Sequence, residues 1–197
     1  MLNDWFVSTE NSDIATLASS YGAPVIHRPM ELATDEATSG AVLLHALKAM
    51  ESDASNKYQA VVCLHPTSPF RTGKHIDEAI QRFEEANIRA HPALASVRQL
   101  PIKQHFNVKA GLAWVRGGLM MNGAIYIVTA ETLRATGDHA HACCSTYLMD
   151  DKSSLDIDKP LDWVIAEAVM RNENTWKDEV PTRASKAGGT DHPDVGT

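Results

Sequence analysis

The stretch from Gln59 to Arg71 reads QAVVCLHPTSPFR. A Val-rich apolar run breaks off into two prolines, two hydroxyls and an arginine, the pattern of a buried strand that delivers a polar loop at its carboxyl end. In an open α/β sheet that edge is where ligands bind. Pro66 and Pro69 fix their own backbone and bias neighbours such as Ser68 away from helix, so the loop has a set shape. Thr67, Ser68 and Arg71 offer hydroxyls and a fork of donors suited to an anion. The same residues also suit a plain strand-to-helix connection capped by Thr72. By itself the stretch leaves both readings open.

The chain around it has 197 residues, enough for one domain with a real core. Hydrophobic residues make up 44% and charged residues 22%, values of a globular protein. A net charge of -7 opposes a broad nucleic-acid or anionic-membrane surface but leaves room for a local pocket that takes a small anion. No run approaches the about 18 apolar residues of a membrane span. The start, MLNDWFVSTEN, has neither a basic head nor an apolar signal core, so a cytoplasmic protein is expected. Cys63, Cys143 and Cys144 form no disulfide framework, in keeping with a reducing compartment.

Upstream of the opening stretch, Asn3 to Ser8 reads as a strand. Asn11 to Tyr21 reads as a helix capped by Asn11 or Ser12 and stopped by Gly22, and Val25 to His27 as a second strand: a parallel βαβ unit. Gly40 to Met50 is a helix burying Val42, Leu43, Ala46, Leu47 and Met50; His45 within it is a packed or surface histidine. Downstream, GKHIDEAIQRFEEAN is an amphipathic helix with Ile76, Ala79, Ile80 and Phe83 inward. Ala93 to Val97 is a core strand, and QHFNVK with GLAWVR a hairpin turning through Lys109 to Gly111. Asn122 to Thr129 is a strand, Glu131 to Ala135 a helical turn stopped by Gly137, and Ser145 to Met149 the last strand. Pro160 opens a final helix that Trp163, Val164, Ala166, Ala168 and Val169 are expected to pack down. Residues 172 to 197 turn polar and are expected to form a flexible tail behind an α/β domain of residues 1 to 171.

The second local signal is SLDIDKPLDW. Asp156 and Asp158 stand two apart, so in extended chain both face one side with Ile157 turned away, an arrangement for a hard cation. Magnesium favours one or two carboxylates completed by phosphate oxygens and water. The pair could equally cap the final helix. His139, His141, Cys143 and Cys144 do not have the spacing of a structural zinc site.

Four blocks then carry a family resemblance. VSTENSDIA (Val7 to Ala15), RPMELATDEATSG (Arg28 to Gly40), LHPTSPFRTGKHIDEA (Leu64 to Ala79), and NGAIYI with SLDIDKPLDW together cover most of residues 5 to 170. In order and spacing they resemble the acylneuraminate cytidylyltransferases, or CMP-sialic acid synthetases. The resemblance implies an α/β, Rossmann-like nucleotidyltransferase with a mostly parallel sheet and a small β arm at about residues 98 to 120, dimeric through that arm. The implied reaction joins CMP from CTP to a nonulosonic sugar acid with release of pyrophosphate, and Mg2+ is the implied cofactor. Matched position by position, Arg28, Ser39, Thr67 and Ser68 fall on the nucleotide side. His65, Lys103, Asn122 and Tyr126 fall on the sugar-acid side, and Asp156 and Asp158 on the metal-binding pair that serves catalysis.

The sequence departs from the family pattern in three places. Where the family has Gln-Pro-Thr-Ser-Pro, this chain has His65 before Pro66; in the role of the Gln, His65 would make sugar binding depend on pH near neutrality. The family opens on a strand and an Ala-Arg-x-Gly-Ser-Lys loop that holds the triphosphate; the 197 residues contain no such loop. That strand is central in the doubly wound order. Its absence from the sheet is expected to leave unpaired edges or to force the strands at Trp5 to Val7 and Ala60 to Leu64 together. Between Trp114 and Asn122 the family's arginine-bearing segment is longer than the VRGGLMM found here, which holds Arg116. The expected consequence is strongly impaired transfer, with a non-catalytic sugar-acid-binding or oligomerisation module as the alternative.

Overall fold

The computed structural model describes residues 2–52, 57–100, 105–108, 111–114, 118–140 and 144–172. Lys103, Arg116, the His141 to Cys143 segment and residues 173–197 lie outside them. The chain opens with β1 (Val7–Thr9), α1 (Ser12–Ser20) and β2 (Val25–His27), and β1 pairs with β2 in parallel as a two-stranded sheet. The expected βαβ unit is therefore present. Asn11 caps α1 through its side-chain oxygen, which accepts from the backbone N–H groups of Asp13 at 2.8 Å and Ile14 at 3.0 Å.

α2 (Ser39–Met50) leads to β3 (Ala60–Cys63), α3 (Gly73–Glu85) and β4 (Ala93–Gln99). β5 (His105–Val108) and β6 (Gly111–Trp114) pair antiparallel as the expected hairpin. β7 (Leu119–Thr129), α4 (Ala130–Thr136), β8 (Cys144–Met149) and α5 (Pro160–Arg171) complete the described chain. The main sheet has the order β3-β7-β4-β8. β7 runs antiparallel to both β3 and β4, while β4 and β8 are parallel, so three of its four strands share a direction. The architecture is α/β with mostly parallel strands. β7 is the exception because the chain returns to β4's side through a hairpin rather than a helix.

Each face of the main sheet has its own core. Leu94, Ile125 and Ile127 pack under Ala79, Ile80 and Phe83 of α3; Ala93 and Val128 meet Leu47 of α2 with Ala130 and Leu133 of α4. The α2–α4 side depends on one close approach. A Cβ on Gly40 would lie 1.8 Å from the carbonyl oxygen of Gly137, which is itself left-handed at φ 66° and caps α4.

One expectation is corrected, and one pair of alternatives is decided. Trp163, Val164 and Ala168 do not pack α5 down: Trp163 is 58% and Val164 60% exposed, Ala168 is exposed as well, and Ala166 is the helix's one buried residue. The strand pairing takes the open-edged form, for β1 and β3 lie in separate sheets and β3 is bonded along β7 alone among the described strands. An apolar side on α1 is likewise exposed, with Ile14 at 50% and Leu17 at 60%.

Candidate functional site

The site forms where the loop after β3 meets an irregularity in β7. Register along β4 and β7 jumps from Ala95–Tyr126 to Val97–Met121, so Ser96 alone on β4 stands opposite residues 122–125 of β7. The Asn-Gly pair at 122–123 makes this bulge possible. Gly123 takes φ 78°, and the Asn122 side-chain oxygen Oδ1 replaces ladder partners by accepting from the Ala124 N–H at 3.2 Å and the Ser96 hydroxyl at 2.5 Å. Ser96 in turn accepts from the Ile125 N–H at 2.7 Å, and the Asn122 amide donates to the Ser154 hydroxyl at 2.8 Å. Asn122, Ser96 and Ser154 are all buried. Asn122 thus binds the acidic loop to the sheet from below.

That loop carries Asp156. A Cβ on Gly123 would stand 2.8 Å from the Asp156 Oδ2 atom, so the carboxylate rests on the bare backbone of the bulge. The backbone N–H of Ile157 donates to the carbonyl of Thr67 at 2.9 Å, which joins the acidic loop directly to the Pro66–Pro69 turn. Four buried side-chain atoms have no hydrogen-bond partner among the described residues, and two of them are Ser68 Oγ and Asp156 Oδ1, each next in sequence to that joint. A buried hydroxyl and a buried carboxylate oxygen on two loops held together are polar atoms that an ordered water, an ion or a polar ligand would satisfy.

The capping role that Asp156 and Asp158 could have played is taken by Asp162, whose Oδ2 accepts from the N–H groups of Asp158 at 3.1 Å and Lys159 at 2.8 Å. Asp158 is exposed, and no cluster of three or more His, Cys, Asp or Glu side chains suited to a metal occurs among the described residues. Two carboxylates, one with a free buried oxygen, fit a magnesium ion that draws its remaining ligands from phosphates and water.

Other expected residues have different duties. Arg71 turns inward, donating from one nitrogen to the carbonyls of His65 at 3.0 Å and Ala124 at 2.6 Å, so it braces the loop against β7. Thr72 caps α3 with a reciprocal pair of bonds to His75. Arg28 is ion-paired to Glu10, and this bond, more than the weak field around it, holds the Glu10 carboxyl below its usual range. Ser39 is half-buried at the first turn of α2, behind its cap Thr38. The structure joins His65, Thr67, Ser68, Tyr126 and Asp156 to one another through β3, β7 and their loops; no described contact links Arg28 or Ser39 to them.

Sequence reading passed over Ser96, Gly123 and Ser154, and weighed His139 only within a zinc pattern. The Asn-Gly dipeptide inside a strand pattern was a legible signal of a bulge. The place of His139 beside the other rings was not legible, because it reaches Tyr126 and His65 only through the return of the α4–β8 loop: its ring centroid lies 4.8 Å from Tyr126 and 6.2 Å from His65.

No family model matches the chain. It is 29% identical over 192 residues to the N-acylneuraminate cytidylyltransferase of Escherichia coli O18:K1:H7, covering 90% of this chain and 44% of that protein. It is 27% identical over 186 residues to the CMP-N,N'-diacetyllegionaminic acid synthase of Legionella pneumophila, covering 83% of this chain and 76% of that protein. These homologues support the CMP-sialic acid synthetase family. The chain spans less than half the length of the first relative and about three quarters of the second. Among solved structures it resembles a CMP:2-keto-3-deoxy-manno-octonic acid synthetase complexed with CTP, with a TM-score of 0.62 and 12% identity over 87% of this chain and 82% of that one. A 4-diphosphocytidyl-2C-methyl-D-erythritol synthase from Anaerococcus prevotii gives a TM-score of 0.59 at 10% identity, over 82% of this chain and 74% of the other. At such identities the likeness is one of fold, and it agrees with the α/β architecture of mostly parallel strands described above. No described helix is long and apolar enough to cross a membrane.

Proposed function

We propose that this chain carries the sugar-acid side and one nucleotide wall of a cytidylyltransferase site, in which CMP from CTP is joined to a nonulosonic acid and pyrophosphate leaves. The observation that carries the reading is the pair of unpartnered buried atoms, Ser68 Oγ and Asp156 Oδ1, on two loops joined by the Ile157–Thr67 bond. Asp156 and Asp158 would hold Mg2+, whose chemistry is to neutralise charge on the phosphates as the leaving group departs. Ser68 and Thr67 supply hydroxyls at the nucleotide wall, and Tyr126 and His65 line the sugar-acid side. Ser96 and Asn122 act indirectly, by fixing the bulge on which Asp156 rests. By the same family reading the active form is a homodimer in which the β5–β6 hairpin takes part.

A second reading has its own support. Of the arginines expected near an anion, Arg28 is ion-paired to Glu10 and Arg71 turns one nitrogen to two backbone carbonyls. A site so short of phosphate donors can retain sugar-acid binding while losing transfer. Incubation with CTP, Mg2+ and N-acetylneuraminate, followed by pyrophosphate release, tests the first reading. The expected result is pyrophosphate release that requires CTP, Mg2+ and the sugar acid together; release that does not depend on the sugar acid would overturn the reading. Calorimetry showing sugar-acid binding with no CTP binding would establish the module instead.

A further inference from the structure

Three rings from three separate elements meet at the end of the main sheet. His65 follows β3, Tyr126 belongs to β7, and His139 comes from the loop between α4 and β8. The His65 and Tyr126 centroids are 5.5 Å apart, Tyr126 and His139 meet edge to face at 4.8 Å, and the two imidazoles lie 6.2 Å apart with their planes 54° to each other. All three are half-buried. Each imidazole carries an N–H donor, and the two oxygens of one carboxylate can accept from two such donors on neighbouring rings.

We propose that His65 and His139 together form a proton-linked receptor for the carboxylate of an acidic ligand, with Tyr126 as the rigid wall that sets their spacing. The inference rests on the reading of this cleft as a sugar-acid site and adds to it the recognition group and the proton it takes up.

The surroundings of the pair decide the sign. Burial, and then the neighbouring His65, hold the His139 imidazole below its ordinary value, while Asp138 acts in the opposite sense. Burial raises the Tyr126 phenol, with Cys63, Asp156 and Cys144 adding to it, and burial pushes the Cys63 thiol up to about 11, so both are neutral near pH 7. Arg71, a nearby cation, is bound to the His65 carbonyl. Without an anion, protonating both imidazoles sets like charges side by side; a carboxylate between them removes the repulsion and favours the protonated rings. Binding must then weaken as pH rises through neutrality.

Calorimetry on the full chain with N-acetylneuraminate, and with its methyl ester, reads this directly. In buffers of different ionisation enthalpy the acid should bind with net proton uptake, at least about tenfold more tightly at pH 5.5 than at pH 7.5. The ester should show no such slope. His139→Phe keeps a ring against Tyr126 and should flatten the slope with the circular dichroism spectrum unchanged; His65→Gln should reduce it. Affinity for the acid that is flat between pH 5.5 and 7.5, a slope unaltered in H139F, or no binding of the acid at either pH would overturn the proposal. Failure of CMP transfer with this proton-linked binding intact would overturn the reaction proposed above and leave the receptor standing.

Discussion

Gly123 has two independent reasons to lack a side chain: its φ of 78°, and the Asp156 oxygen 2.8 Å from where a Cβ would be. Gly123→Ala should therefore lower stability by about 1–2 kcal/mol from the left-handed backbone alone, measured by urea denaturation. It should also displace the Asp156 carboxylate. Cys63 gives a second test at this scale. With its thiol pushed up to about 11 by burial, against the slight opposing field of Arg71, its thiolate fraction at pH 7.5 is a few hundredfold below that of a free cysteine. Iodoacetamide labelling followed by peptide mass spectrometry should show Cys63 reacting that much more slowly than a free thiol peptide; comparable rates would contradict its environment. The residues that sequence made legible were those with a chemical signature, such as Thr67, Ser68 and Asp156. Ser96 and His139 were not legible, because an isolated serine in a strand or a histidine in a loop acquires meaning only from what the fold sets opposite it.

The elements themselves were written plainly. Asn11, Thr72 and Pro160 marked helix starts, Gly137 marked a stop, and each lies at or within a residue of the observed boundary. The reversal of β7 was not legible, since strand direction depends on which neighbour the chain returns to and not on the pattern of apolar residues. Nor was the approach of α2 to α4, although Gly40 held the clue. A Cβ there would meet the Gly137 carbonyl oxygen, a backbone atom that cannot swing aside. Gly40→Ala should cost about 3 kcal/mol in urea denaturation, at the upper end for overpacking. A change below about 0.5 kcal/mol would show that the two helices part easily.

Across the whole molecule, apolar side chains are unevenly hidden. The main sheet buries Leu94, Ile125 and Leu133 completely, yet Trp163, Val164, Ile165 and Met170 of α5 and Ile14 and Leu17 of α1 remain open. The periodicity of α5 announced an apolar helix but could not say how much of it would be covered, because coverage depends on the neighbouring layer. Val164→Lys should accordingly alter the stability of the chain by less than about 0.5 kcal/mol. A loss of 2 kcal/mol in thermal or urea unfolding would mean that α5 is covered in solution. The separation of the β1–β2 sheet from β3 belongs to the same scale, and it leaves the joint between the Pro66–Pro69 turn and the acidic loop as the best-built part of the cleft.

The proposed transfer turns on the Asp156 carboxylate lying on Gly123 with one buried oxygen free for a cation and its phosphates. Mass-spectrometric detection of CMP-N-acetylneuraminate formed from CTP, Mg2+ and N-acetylneuraminate, compared between the unaltered chain and Asp156→Asn, tests this most directly. The account predicts slow product formation by the unaltered chain that falls by at least about a hundredfold in the variant, with the fold retained by circular dichroism. Product formed at equal rates by both chains would contradict it.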